Sequence, residues 1–286
     1  MKPFQIFAFL ILLCTCVRAQ PTFQAGNDPA PEGKRWVPVP ELSDEFKGRK
    51  VDLNKWQVEP IGNDWGWIGR PPGLFQARNI EVRKGKLRVN VGVLPEAVEI
   101  KGNTFTHFGG IVRSLQPARP GYYLEAKMKA NRTEMSSTFW LMTKYDCERK
   151  MELDVQECVG VVSPDAKEWA REWDYVMHSN FIHRKTECNP EPTQHQGSVP
   201  LPTKNADRFY VYAVWWKSPT EMRFYLDGKY IYSITPNVPH DRDAWIHMAI
   251  ETYDWNPIPA DGGVIKDASR KDRRTEYEWV RTWKLE

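Results

Sequence analysis

The chain has 286 residues, a formal net charge of +3, and 13 Trp, 11 Tyr and 12 Phe. So small a charge excludes nucleic-acid binding by bulk positive potential, and an anionic partner would have to be met by local arginines. So many aromatic rings exceed what a plain core uses. Some are expected to line a groove, because flat rings stack on sugars, nucleobases and other extended ligands.

The first segment, "MKPFQIFAFLILLCTCVRAQ", has a basic Lys2, an apolar run from Phe4 to Val17 and a small-residue ending at Ala19. It reads as a secretory signal peptide over residues 1–19, cut near Ala19–Gln20 and too short for a comfortable membrane span. A lipoprotein signal is the rival, with Cys14 or Cys16 as the lipidated residue, although Leu13 and Thr15 fit a lipobox poorly. Lys2 and Arg18 leave with this leader, which holds no acid, so +3 becomes +1. Residues 20–40 are polar and Pro-rich and are expected to be a lead-in that wraps the domain edge. One domain follows, residues 41–286, with no internal repeat and no later stretch apolar enough to span a bilayer.

Short alternating runs separated by turn residues fill this domain. "KGKLRVNVGV" puts Leu87, Val89 and Val91 on one face. "GYYLEAKMKA" puts Tyr122, Leu124, Ala126 and Met128 on one face, with Glu125, Lys127 and Lys129 on the other. "RFYVYAVWWK" is a long aromatic, β-branched run. "MRFYLDGKYIYSI" is a hairpin with Asp227-Gly228 as its turn. "EYEWVRTWKLE" is a closing strand. Only "SPDAKEWAREW" shows a helical period. Many short strands with regular turns predict an all-β sandwich or barrel. Cys147, Cys158 and Cys188 remain after the leader. They permit one disulfide, with Cys147–Cys158 bracketing the most acidic stretch, or three unpaired thiols. Asn131-Arg132-Thr133 is a formal glycosylation sequon.

That acidic stretch is "MELDVQE", with Glu152, Asp154 and Glu157. In a regular strand Glu152 and Asp154 share a face and Glu157 takes the opposite one. An extra residue, a β-bulge between Asp154 and Glu157, would bring all three to one face, and bulges favour active-site neighbourhoods. Two glutamates roughly 5–5.5 Å apart suit retaining glycoside hydrolysis, in which one attacks the sugar and the other works as acid and then base. Asp154 between them would help set their charge. The plain alternative is a solvated strand edge. Against it, Met151, Leu153 and Val155 form an apolar anchor on the opposite face, and "SSTFWLM", with Trp140, lies just upstream.

"FGGIVRS", "GYYLEAKMKA", "SSTFWLM" and "MELDVQE", in this order and spacing, resemble glycoside hydrolase family 16. The resemblance runs from about Val39 to Lys284. It implies a β-jelly-roll sandwich of two antiparallel sheets with a concave groove, and an endo-acting retaining glycosidase. Carried over, Glu152 matches the nucleophile, Asp154 the assisting acid and Glu157 the acid/base. "SSTFWLM" is similar to the agarase and porphyranase branch rather than to the laminarinase form. "WGWIGRPPGLF" resembles the segment of that branch that carries a sugar-stacking tryptophan and, in porphyranases, an arginine three residues on. Trp67 and Arg70 have that spacing, and the planar fork of arginine suits a sulfate ester. Their plain alternatives are a core ring and a structural salt bridge. "HSNFIHR" offers His178, Asn180, His183 and Arg184, of which His178 and Arg184 are favoured for the sugar. "IETYDWNP" offers Glu251, Tyr253 and Trp255, with Glu251 favoured. Trp140 is expected beside them, and His107 is a weaker candidate. Asp44 and Glu45 read as structural.

The resemblance thus implies a secreted β-1,4-galactanase acting on red-algal galactan, a β-porphyranase by preference and a β-agarase next. A non-catalytic lectin and a transglycosylase are the rivals on the same fold. The expected partner is an agar-type, sulfated polysaccharide, with no nucleic acid, no membrane span and a monomeric chain. The location is extracellular or periplasmic, with a surface lipoprotein as the variant. The chemistry requires no cofactor and no metal ligand is proposed. A structural calcium occurs in parts of the family, but the acids here lack a ligand spacing for it.

Overall fold

The structure, a computed structural model, describes residues 20–286. The leader read at residues 1–19, with Cys14 and Cys16, lies outside the described residues. No helix among the described residues is long and apolar enough to cross a membrane.

The alternating runs become two stacked sheets. One orders its strands Lys229–Ile234, Glu221–Leu226, Tyr210–Ser218, Tyr122–Lys129, Arg274–Leu285, Leu87–Asn90 and Ile80–Val82, with Trp36–Pro38 on Arg274–Leu285. The other orders Thr193–Pro200, Val176–His183, Met151–Val159, Ser136–Met142, Trp245–Ile250, Asn103–Ser114 and Trp56–Gln57. Gly73–Phe75 joins Asn103–Ser114 in parallel and Gly92–Ile100 joins it antiparallel. Leu87, Val89, Leu124, Ala126 and Met128 of the first sheet meet Phe139, Leu141, Met151, Leu153 and Val155 of the second in one buried core. Each of the larger of these side chains contributes about 1.5–3 kcal/mol through burial. The Asp227-Gly228 turn has positive φ at both residues, 49° and 78°, the conformation a two-residue hairpin needs.

Two expectations differ from the structure, and a third feature, the formal sequon, proves to be buried. The helical period of "SPDAKEWAREW" yields only a 3-10 turn at Glu168–Ala170, where Trp169 and Trp173 both turn to Trp255 instead of lining one helix face. The disulfide joins Cys147 to Cys188, not to Cys158. Cys158 is a free, buried thiol whose side chain points into the core, donating to the Ser137 carbonyl, so it faces away from the loop that holds Cys147. Asn131 of the sequon is buried and gives its amide to the carbonyls of Met135 and Ser136. It is therefore closed to glycosylation in the folded chain.

The lead-in lies over the outer face of the first sheet. Phe23 packs on the rings of Trp36, Tyr123 and Tyr225. Thr22 donates its N–H and hydroxyl to Glu125 at 3.1 and 3.0 Å. Lys127 and Lys129, on the same face as Glu125, instead pair with Glu278 and Glu276. Asp44 accepts from the Trp56 indole and the Phe46 N–H, and Glu45 takes Arg281 through both oxygens, as structural residues would.

Burial pushes the Glu125 carboxyl up from 4.5 to about 8, against the lowering effect of the two Thr22 bonds. The folded chain thus keeps a proton here that the unfolded chain releases from about pH 4.5 upward. Stability from this site is present at acid pH and is lost as pH rises toward 8. Glu125→Gln is expected to reduce the fall in melting temperature between pH 5 and pH 8. An unchanged slope would show that Glu125 does not titrate in this window.

Candidate active site

A groove crosses the second sheet. One half is a cavity of about 900 Å³ and the other of about 630 Å³. Glu152, Glu157, Arg70, Arg184 and Tyr253 line both halves, so they stand at the middle of one continuous cleft.

The acid strand, Met151–Val159, pairs with Ser136–Met142, and its register slips between Asp154 and Gln156. Val155 is the unpaired extra residue, so there is a bulge between Asp154 and Glu157. Before it, Met151, Leu153 and Val155 point into the core. After it, Gln156 and Cys158 do, and Glu157 joins Glu152 and Asp154 on the groove wall. Gln156 is held inside by bonds to Val176, Asn205 and the His178 N–H.

The three carboxyls have different surroundings. Glu152 is held by the Arg184 fork, at 2.9 Å from Nε and 2.6 Å from Nη2. Asp154 is buried, and its Oδ2 has no partner. Burial first, then the charges of Glu152 and Glu157, holds its carboxyl well above the usual range. Glu157 accepts from the Asn180 amide at 3.1 Å. Burial, then the neighbouring carboxylates, raises it to about 7 despite a lowering bond from the Tyr253 hydroxyl. One acid therefore has both oxygens tied to a cation, while the other two retain protons near neutrality.

Arg70 and Glu251 come together. The arginine donates Nε–H to Glu251 at 2.9 Å, lies 3.6 Å from Asp254 and sits 5.4 Å over the Tyr253 ring. Burial raises Glu251 to about 7, with Arg70 opposing. The rest of the guanidinium faces the groove, with the side chain 41% exposed. The Thr252 hydroxyl donates to the Arg70 carbonyl and accepts from the Gly73 N–H, which pins this loop to the sheet. Trp67 is half-buried against Phe75 and Trp140, with ring centroids 4.8 and 6.1 Å away. Trp140 stacks on His247 at 4.5 Å, and both tryptophans line the larger half of the groove. His178 lies in the other half, 4.1 Å from the Trp173 ring and 3.8 Å from Glu157. Burial lowers its pKa to about 4.

Comparisons with known proteins identify the family. Residues 36–285 match the family model "Beta-porphyranase A-D, GH16 domain". The chain belongs to glycoside hydrolase family 16. It is 42% identical over 283 residues to β-porphyranase B of Zobellia galactanivorans, covering 96% of this chain and 94% of that protein. It is 35% identical over 286 residues to β-porphyranase B of Phocaeicola plebeius, covering 90% and 87%. The crystal structure of porphyranase B from Zobellia galactanivorans superposes with a TM-score of 0.86 at 43% identity, covering 93% of this chain and 99% of that one. The two antiparallel sheets are thus the family 16 jelly roll.

Among the site residues expected of a family 16 chain, Glu152, Asp154, Glu157, Trp67, Arg70, Trp140, Arg184 and Glu251 all line the larger half, and His178 the smaller. His107 is buried beside Thr106 and lines neither half. His183 points away and meets the Glu148 carbonyl. Asn180, passed over in favour of its neighbours, is the one bonded to Glu157. Strand parity carried that signal, because His178, Asn180, Ile182 and Arg184 share a face. Lys150, Lys185 and Gln194 also line the groove, but they come from a loop and an edge strand with no sequence pattern to mark them.

Gly69 precedes Arg70 with φ +116°, and a Cβ there would lie 2.2 Å from the Gly73 carbonyl oxygen. Gly69→Ala must therefore shift the backbone that carries Arg70. A loss of about 2 kcal/mol or more is expected, seen as a melting temperature lower by at least about 4 °C. An unshifted melting curve would show that the loop tolerates a side chain.

Proposed function

We propose that this chain is a secreted retaining endo-β-galactanase that cleaves β-1,4-galactosidic links in porphyran. The observation that carries the reading is the bulged strand, which sets Glu152 and Glu157 on one groove wall in different electrostatic surroundings. Glu152, oriented by Arg184, attacks the anomeric carbon and forms the glycosyl–enzyme bond as the link to the leaving sugar breaks. Glu157, protonated near neutrality, gives its proton to the departing oxygen. It then takes a proton from water, whose oxygen displaces Glu152 and frees the product. Asp154, kept protonated between the two, has an O–H to offer Glu152 and stabilises its charge as that acid is released. A lectin would have no use for one carboxyl clamped by an arginine fork beside another that keeps its proton near neutrality.

Arg70 supports the sulfated substrate. Its Nε is held by Glu251 and its Nη1 lies near the exposed Asp254, and the half-exposed guanidinium lines the groove with Trp67, where it suits the 6-sulfate of an L-galactose unit with the ring stacked nearby. The relatives named porphyranase agree with this, and β-agarase is the second reading, since its substrate differs in carrying a neutral 3,6-anhydro ring there. The leader at residues 1–19 supports export.

Glu152→Gln and Glu157→Gln are each expected to lower kcat on porphyran by about 10³-fold or more with little change in melting temperature. Near-normal turnover in either variant would sink the mechanism. In the unmodified chain kcat/KM should decline above about pH 7, as Glu157 loses its proton, and Glu157→Gln should abolish that limb. Product analysis on purified porphyran and agarose decides the substrate. Arg70→Met is expected to raise KM on porphyran about tenfold or more, the loss of a charge-assisted contact. Cleavage of agarose alone would overturn the porphyran reading.

A further inference from the structure

The smaller half of the groove runs outward from Glu157 along a continuous set of rings. Tyr253 stacks on Trp255 at 4.3 Å and 21°. Trp255 meets Trp173 at 4.5 Å and Trp169 at 5.2 Å, and Trp169 meets Trp173 edge-on at 5.5 Å. The last ring of the series, Trp169, is 61% exposed. An indole left that open at the end of a cleft is costly to solvate and adds little to the core.

Its position is nonetheless held firmly. Trp169 sits in the 3-10 turn Glu168–Ala170, whose Ala170 is buried. The Lys167 N–H just before it donates to the Trp255 carbonyl at 2.8 Å. This ties the turn to the segment that carries Tyr253 and Trp255. A rigid, exposed ring continuous with the acid pair is built for a flat ligand face rather than for packing.

The charges on this side indicate which sugar it takes. Among the described residues, Arg70 and Arg184 at the acids are the cations that line the smaller half, and its other polar groups include Gln196 and Ser198. Arg171, two residues from Trp169, is turned to Glu168 and the Pro164 carbonyl. The larger half, by contrast, carries Lys150 and Lys185, for which no ion pair is found among the described residues. Beyond the central acids and arginines, the cleft thus has two lysines on one side, and uncharged polar groups and aromatic rings on the other.

We infer that Trp169, backed by Trp173 and Trp255, is a distal subsite that stacks the apolar face of an unsulfated pyranose in the galactan chain. The inference rests on the groove being a galactan cleft, and it assigns to the enzyme a grip on long chains whose remote units are neutral.

The test compares Trp169→Ala and Trp169→Phe with the unmodified chain on two substrates, porphyran polymer and an oligosaccharide only long enough to fill the positions around the acids. For Trp169→Ala, KM on the polymer is expected to rise about tenfold with kcat held within about twofold, the loss of one stacked ring. Both constants on the short substrate should stay within about twofold, and Trp169→Phe should retain most polymer affinity. Binding is read separately by retardation in gels containing porphyran, with the Glu152→Gln chain and its Trp169→Ala double variant. Equal retardation of the two overturns the subsite, as does an equal loss on long and short substrates. If the unmodified chain cleaves neither porphyran nor agarose yet is retarded in a Trp169-dependent way, the hydrolase reading fails and the subsite stands. If it is not retarded at all, the subsite fails with it.

Discussion

A single unpaired residue governs the orientation of everything downstream on the acid strand. Val155 is accommodated as a bulge against Ser136–Met142, and side-chain parity reverses past it. Without it, Glu157 would face the hydrophobic core, while Gln156 and Cys158 would face the groove. A carboxylate placed there unpaired would cost several kcal/mol. With it, Glu157 looks out, Cys158 is sealed inside, and Gln156 finds Val176 and His178 on the next strand and Asn205 in a turn. The bulge is held by the apolar anchors Met151, Leu153 and Val155, all fully buried. Core packing and active-site geometry are thus two faces of one backbone feature.

The same strand explains why carboxyls so close together can differ. Burial raises Asp154 and Glu157. Arg184 reaches Glu152 with both arms, leaving Glu157 with an amide and a tyrosine hydroxyl, and Asp154 with an oxygen that has no partner at all. The second arginine, Arg70, is committed through Nε to Glu251, has Nη1 near the exposed Asp254, and keeps part of its guanidinium open to the groove. Two arginines on two buried glutamates therefore arrange the whole cleft, one orienting the chemistry and one addressing the ligand.

Much of this was legible in the chain itself. "SSTFWLM" became the strand Ser136–Met142 as read, Asp227-Gly228 became a hairpin turn, and the core face of "GYYLEAKMKA" is the buried face. The bulge too could be inferred, because three carboxyls serve one site only if parity is broken between Asp154 and Glu157. Other readings went astray for identifiable reasons. "SPDAKEWAREW" has a helical period, yet Trp169 and Trp173 are spaced to meet Trp255, a contact invisible from local spacing. Glu125 was placed on the polar face with two lysines, and the lead-in then covered it and left it in the dark of a second aromatic cluster. Asn180 shares the parity of Arg184, but nothing in its local sequence marks its amide as the partner of Glu157.

The dividing line is one of range. Alternation, turn chemistry and composition depend on residues a few positions apart, so sheet faces, turns and the shared face of the acids follow from order alone. Partnerships depend on segments that meet only when the chain is closed. Arg70 meets Glu251 across 181 residues, Asn180 meets Glu157 across 23, and Cys147 passes over Cys158 for Cys188 at a separation of 41. Each of these choices is made by strand order and by which face of the sheet a side chain occupies. Folding had to set those two things first, and they decide which carboxyl keeps its proton and which surface the ligand meets.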